Sequence, residues 1–379
     1  MAMDNRTKVI KMCYLADVRM PTEKAHGIQI MKTCEAFADV GINIKLFVPS
    51  FLFFKKEDPF LYYGIRRVFE IKRLFSIRLI RLGPIGFSIE KFIFFILLVF
   101  SKDFWASDYI FSRDEMLTSL ASLLGKKTIW EVHVSSYNFF TKIAISRANH
   151  IVSISQGLKD YYVAKGVDSG KILVAHDGVD LKMFDASFSQ EEARKTLDLP
   201  TDKKIVLYTG HLYEWKGVGV LAESAKFFDE DTLFLFVGGT EYDKKIFLDK
   251  YQGVKNIRVI GNRPYSEVPM YLKSADVLVL PNSGKSDISK LYTSPMKLFE
   301  YMASGVPIVA SDLPSMREVL NTSNSTLVKS DSPSALSQGI KTVFDNTGSA
   351  GILAKQALHD VDIFSWESRI KKILSVIEK

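Results

Sequence analysis

The feature that most constrains this chain is a repeated alternation of two hydrophobic periods. Short β-branched or aromatic runs, KVIKMCYL from Lys8, INIKLFV from Ile42, KTIWEV from Lys127, HIVSI from His150 and ILVA from Ile172, are separated by segments with helical spacing. Apolar runs of this length read as strands buried on both faces. In the first intervening segment Ile28, Met31, Glu35 and Ala38 set one helical face against Gln29, Lys32 and Asp39. Strand and helix in turn predict a parallel sheet covered by helices. The polar stretch Asp185 to Lys204 breaks the pattern, which restarts with KIVLYT from Lys204, LFLFVG from Leu233, IRVI from Ile257, VLVLP from Val277 and VPIVAS from Val306. Two α/β domains are expected, and 379 residues suffice for two separate cores. The last segment, FSWESRIKKILSVIEK, has helical spacing at Trp366, Ile370, Ile373 and Ile377 and is expected to pack back across the domain joint.

With 47% hydrophobic and 25% charged residues, neither disorder nor a collagen-like repeat is credible. The two cysteines, Cys13 and Cys34, lack metal-ligand spacing and read as packing residues in a reducing compartment. The N-terminus lacks the flank, apolar core and cleavage site of a secretory signal, so a cytoplasmic location is expected. Phe92 to Phe100 is strongly apolar, but nine residues fall short of the ~18 to 20 that a spanning helix needs. The net charge of +7 favours anionic partners. Most of it sits between Lys55 and Arg81, where Lys55, Lys56, Arg66, Arg67, Lys72, Arg73, Arg78 and Arg81 face only Glu57, Asp58 and Glu70. Interleaved aromatics and the apolar run that follows give residues 51–100 the composition of an anionic membrane contact, while a buried helix accounts equally well for Phe92 to Phe100. The charge is too local for nucleic-acid binding, and none is expected.

Two nucleotide motifs are absent. The nearest dinucleotide fingerprint, Gly217-Val218-Gly219, has Ala222 where the third glycine belongs, and Gly284-Lys285-Ser286 has Val279 where a P-loop needs glycine. The most informative segment is TSPMKLFEYMASGVPIVASD, from Thr293 to Asp312. Ser294 followed by Pro295 predicts an N-cap with proline at the first helical position, and Gly305 a stop. Such a helix start after a strand is a ready anion site. Glu300 lies near the apolar stripe of Met296, Phe299 and Ala303, so it needs a partner: either Lys297, or a pair of ligand hydroxyls. In YTGHLYEWKG, Tyr208 to Gly217, Lys216 stands near a helix start, where a cation is disfavoured unless an anion sits there too; otherwise it is an exposed lysine that reaches water.

Taken together, AHGIQIMKTCEAF, WEVH, SISQGLKDYY, VAHDGVDLKMF, GHLYEWKG, VGGT and SPMKLFEYMASGVPIVASD resemble, in order and spacing, the retaining nucleotide-sugar glycosyltransferases of family 4. The resemblance implies the GT-B fold: two Rossmann-like, doubly wound parallel-sheet domains facing across a cleft. It implies an acceptor domain at 1–190, with the C-terminal helix at about 362–379 packed back on it, and a donor domain at 191–361. The implied activity is metal-independent and cofactor-free transfer of a sugar from a nucleoside-diphosphate sugar to a glycan or lipid-linked acceptor, in cell-surface polysaccharide, lipopolysaccharide or glycolipid assembly. By position, His133, Lys216 and Glu300 would be catalytic. Gly27, Gly210, His211, Lys216, Arg263, Pro264, Ser294, Pro295, Lys297 and Glu300 would surround the donor, and His26 and Arg19 would face the acceptor. The sequence departs from the family pattern at His211, where many members have arginine, and at Tyr292, where many have glutamate. These departures leave open a silent nucleotide-sugar binder, and a nucleotide-sugar epimerase of the same fold remains a further alternative.

Overall fold

The computed structural model describes residues 9–51, 57–79, 83–185 and 188–377. Lys55, Lys56 and Arg81 of the basic stretch, with Phe53 and Phe54, lie outside the described residues. The chain divides into two compact units, one of Met1–Ile154, Leu158–Ala175 and Trp366–Lys379, the other of Ser155–Gly157 and His176–Ser365.

In the first unit the described strands are β1 (Lys11–Leu15), β2 (Asn43–Ser50), β3 (Glu70–Phe75), β4 (Tyr109–Ser112), β5 (Lys127–Val132), β6 (His150–Ser153) and β7 (Ile172–Val174). They form one parallel sheet in the order β3-β2-β1-β4-β5-β6-β7. The second unit holds β8 (Lys204–Thr209), β9 (Thr232–Val237), β10 (Ile257–Val259), β11 (Val277–Leu280), β12 (Ile308–Ser311) and β13 (Thr326–Val328). These are again parallel, in the order β10-β9-β8-β11-β12-β13. Both orders reverse direction once, at β1/β4 and at β8/β11. In open parallel sheets ligands bind beyond the carboxyl ends of the strands at such a switch point. The two doubly wound sheets are those of the GT-B fold.

The central strands are fully buried, as their apolar runs require: β11 has four buried residues of four, and β8 five of six. Three strands escape the hydrophobic pattern. β3 is a half-exposed edge strand, EIKRLF, inside what reads as a basic surface stretch. β4 and β13 are only four and three residues long.

The boundary expected at 190 falls earlier, between Ala175 and His176. The Val179 amide donates to the Phe364 carbonyl at 3.0 Å, and Leu181 and Phe184 pack on the second unit's core, so the polar stretch after Asp185 lies inside that unit. The helix Ala25–Asp39 also differs from its pattern. Gln29 and Lys32, on its polar face, are 2% and 4% exposed. The C-terminal helix Trp366–Ile377 packs along it, Lys32 pairs with Glu35 at 2.9 Å, and Gln29 turns to a buried carboxylate.

Candidate functional site

In the second unit the switch point lies where β8 ends at Thr209. The Thr209 amide donates to the Tyr301 hydroxyl at 2.8 Å, and its carbonyl accepts from Lys297 Nζ at 3.0 Å. Both partners sit on the helix Met296–Ala303, which is thereby fixed against the strand end. Gly210 follows with φ +120°, a value that side chains rarely adopt. A Cβ built there would lie 3.5 Å from Lys297 Nζ and 3.9 Å from Lys216 Nζ, so both ammonium groups border one backbone position. Lys216 ends the helical turn Glu214–Lys216. Its turn is pressed against the loop after β11: Gly217 has φ +74°, and a Cβ on it would meet the Pro281 carbonyl oxygen at 1.8 Å.

Two cations at one strand end are mutually unfavourable without an anion. Burial pushes Lys216 down to about 8. Burial, then the charge of Lys216, hold Lys297 well below the usual lysine range, although Glu300 opposes this. The Tyr208 ring lies under the Lys297 ammonium, 3.7 Å from ring centre to Nζ. Glu300, 6% exposed, is pushed up to about 7 by burial, against a hydrogen bond from Tyr265 and the charge of Lys297. Of its two expected partners, Lys297 acts on it through space while its ammonium goes to the Thr209 carbonyl.

The remaining expected donor residues are placed as follows. His211 stacks parallel to Tyr213 with ring centres 4.9 Å apart, and its carbonyl accepts from the Tyr208 hydroxyl at 2.8 Å. Arg263 and Pro264 are exposed and lead into the turn Tyr265–Glu267, which delivers Tyr265 to Glu300. Ser294 is not the N-cap. Pro295 occupies that position and accepts from the Leu298 amide at 2.9 Å, while the Ser294 hydroxyl accepts from the Asp177 amide at 3.3 Å. Proline cannot follow a capping serine inside the helix here because the helix begins one residue later, at Met296. Gly305 does stop the helix, with φ +67°.

The first unit places its expected residues differently. Gly27 gives its amide to the Lys24 carbonyl at 2.9 Å, and a Cβ on it would sit 2.0 Å from the Tyr63 hydroxyl oxygen. That contact by itself excludes a side chain at this position. Arg19 pairs with Glu23, four residues on in the loop before the helix Ala25–Asp39. His26 is pushed down to about 4, first by burial and then by Arg113, Lys24 and His133. His133 Nε2 lies 3.0 Å from Glu131 Oε2. Residues that the sequence reading passed over are Tyr265, Tyr301, Gln29, Arg113 and Arg369; Tyr265 adjoins the expected Arg263-Pro264 turn and Tyr301 adjoins Glu300.

Among the described residues of the basic stretch, three cations pair with carboxylates. Arg66 pairs with Glu35 and Asp39, Arg67 with Asp58, and Lys72 with Glu70 at 2.6 Å. Phe92 to Phe100 divides between two environments: on the helix Gly83–Val99, Phe94, Phe95 and Leu98 enter the core, while Phe92 and Ile96 are exposed, as is Phe100 just beyond it. Among the described residues no helix is long and apolar enough to cross a membrane.

Residues 189–359 match the family model of the glycosyl transferases group 1. The match lies within the second unit. The chain is 28% identical over 200 residues to TuaC of Bacillus subtilis, a glycosyltransferase named for teichuronic acid biosynthesis, covering 52% of this chain and 48% of that protein. It is 25% identical over 239 residues to a D-inositol 3-phosphate glycosyltransferase of Corynebacterium glutamicum, covering 59% and 56%. The chain thus spans about half the length of the curated relatives it matches. Among solved structures it is similar to Anabaena HepE in complex with UDP and glucose, with a TM-score of 0.78, 13% identity, and coverage of 98% of this chain and 100% of the other. That likeness concerns the fold.

Proposed function

We propose that the protein is a retaining glycosyltransferase that moves a sugar from a nucleoside-diphosphate sugar to an acceptor hydroxyl, in polysaccharide or glycolipid assembly. The observation that carries the reading is the pair Lys216 and Lys297 bordering Gly210 at the β8/β11 switch point, both held below their ordinary pKa within the residues that match the group 1 model. A diphosphate there would relieve the repulsion between them. Glu300, one turn along the same helix from Lys297, would accept from the ribose hydroxyls, as its acceptor oxygens allow. UDP is the first nucleotide to test, since the structural neighbour HepE was solved with it.

The C1–O bond to the diphosphate breaks with its electron pair going to the leaving phosphate, giving C1 oxocarbenium character. The acceptor oxygen then bonds to C1 on the same face, and its proton passes to the departing phosphate oxygen. The lysines stabilise charge where it develops, and removing one such donor typically costs ~10²–10³ in turnover. No metal ion or organic cofactor is assigned a step. The proposal extends to a lipid-linked acceptor at an anionic membrane surface, because the helix Gly83–Val99 exposes Ile85, Phe87, Ile89, Phe92 and Ile96.

The test is thermal stabilisation by UDP, GDP, ADP, CDP and dTDP, followed by turnover with the matching sugars. A ligand at 100 times its dissociation constant adds about 2.7 kcal/mol, which is several degrees in Tm. One preferred nucleotide, lost in Lys216→Ala and weakened in Glu300→Gln, is expected. No shift from any of the five would sink the donor site. Stabilisation without transfer would favour a silent binder, and release of the nucleoside diphosphate without an acceptor would favour an epimerase.

A further inference from the structure

Glu131 on β5 is 0% exposed. Burying a carboxylate is costly, and a hydrophobic side chain of similar volume commonly packs at least as well. Its surroundings are specific. The Arg369 guanidinium, 3% exposed on the helix Trp366–Ile377, donates to Oε1. Gln29 Nε2, from the helix Ala25–Asp39, lies 3.3 Å from each oxygen, and the Tyr14 hydroxyl on β1 donates to Oε2 at 3.4 Å. Arg113, just after β4, holds the other end of the Gln29 amide, donating to Oε1 of Gln29 at 2.9 Å. The Oε2 oxygen also faces His133 Nε2 at 3.0 Å. Side chains from three separate elements therefore orient one carboxylate, with Arg113 bracing one of them, and that carboxylate meets the imidazole two residues further along the chain.

We propose that Arg369 is a positioning residue for His133, acting through Glu131. Arg369 occupies Oε1 and so leaves Oε2 turned to the imidazole. At 3.0 Å the carboxylate charge favours the protonated form of the His133 ring. The charges around His133 are Glu131 on β5 just before it, Arg369 on the C-terminal helix, His26 on the helix Ala25–Asp39, whose protonation it opposes, and Arg113 beyond β4; Tyr14 and Gln29 face the same carboxylate as neutral groups. With Arg369 in place the pull of Glu131 is shared between two cations. Without it the whole pull falls on His133, which becomes harder to deprotonate.

The experiment follows the His133 imidazole by nuclear magnetic resonance in the full chain across pH, its signal assigned with His133→Gln. In Arg369→Met the titration midpoint is expected to rise by about one pH unit. Should Arg369→Met fail to fold, Arg369→Lys decides. It keeps the charge but loses the planar fork, and a smaller rise of the same sign is expected. An unchanged midpoint in the folded variants overturns the proposal. The consequence for catalysis rests on the transferase reading: in Arg369→Lys, kcat should fall while KM for the nucleotide sugar stays the same. A displaced midpoint with unchanged kcat would remove the catalytic role of His133 and leave its coupling to Arg369 standing.

Discussion

At the residue scale the candidate donor site depends on three groups held away from their ordinary protonation. Lys216 is pushed down to about 8, Lys297 is held well below the usual lysine range and Glu300 is pushed up to about 7, each mainly by burial. A diphosphate needs the lysine charged, so affinity falls as pH rises above about 8. Ribose hydroxyls need the carboxylate ionised, so affinity falls as pH drops below about 7. Calorimetric titration with UDP should therefore give an affinity maximum between these two values. Glu300→Gln should keep the alkaline limb and flatten the acid one to what protonation of UDP itself contributes; an acid limb unchanged in Glu300→Gln would remove Glu300 from the ribose contact. Lys216 and Glu300 were legible in the sequence because each sits in a motif. Lys297 was named for the donor from the same motif as Glu300, but its approach to Gly210 was not legible, since that depends on the helix beginning at Met296 and on Tyr301 fastening that helix to Thr209. Arg369 left a signal that went unused: it stands three residues after Trp366 and four before Ile373, on the apolar stripe, where an unpaired charge would be untenable.

At the scale of elements, legibility follows burial. β8, β9, β11 and β12 are apolar through most of their length because both faces of the sheet are covered, and their runs stand out in the sequence. β3 does not, because an edge strand with one solvated side carries the charges that keep it from pairing with other chains. Lys72 on this strand and Arg66 before it read as a free basic surface, yet carboxylates distant in sequence lie close by in space: Arg66 reaches Asp39, and Lys72 comes within 3.9 Å of Asp103. This changes the form of the membrane prediction. If the helix Gly83–Val99 docks on lipid, the contribution comes from its exposed apolar residues more than from charge. Flotation with phosphatidylglycerol vesicles should then depend weakly on salt and be lost in Phe92→Glu/Ile96→Glu. Binding that salt abolishes but the double substitution spares would transfer the contact to the basic residues, and no flotation at all would remove the membrane from the proposal.

At the scale of the whole molecule, the first unit is built from distant parts of the chain. Trp366–Lys379 returns to it after the entire second unit has been threaded. Trp366, Ile370, Ile373 and Ile377 are buried there, and Arg369 is the cation that meets Glu131. Ending the chain at Ser365 would uncover the surface these residues cover and leave Glu131 buried with less compensation. Removing one partner of a buried pair alone costs about 3–5 kcal/mol, a large fraction of the ~5–15 kcal/mol that holds a typical domain folded. Scanning calorimetry should show the first unit's transition lowered or lost in this truncation. The second unit keeps its two fully buried core clusters, all of whose residues precede Ser365, and is expected to retain stabilisation by nucleoside diphosphate. If instead the nucleotide response vanished with the truncation while the second unit still melted cooperatively, the donor site would depend on the C-terminal helix, and assigning it to Lys216, Lys297 and Glu300 alone would be wrong.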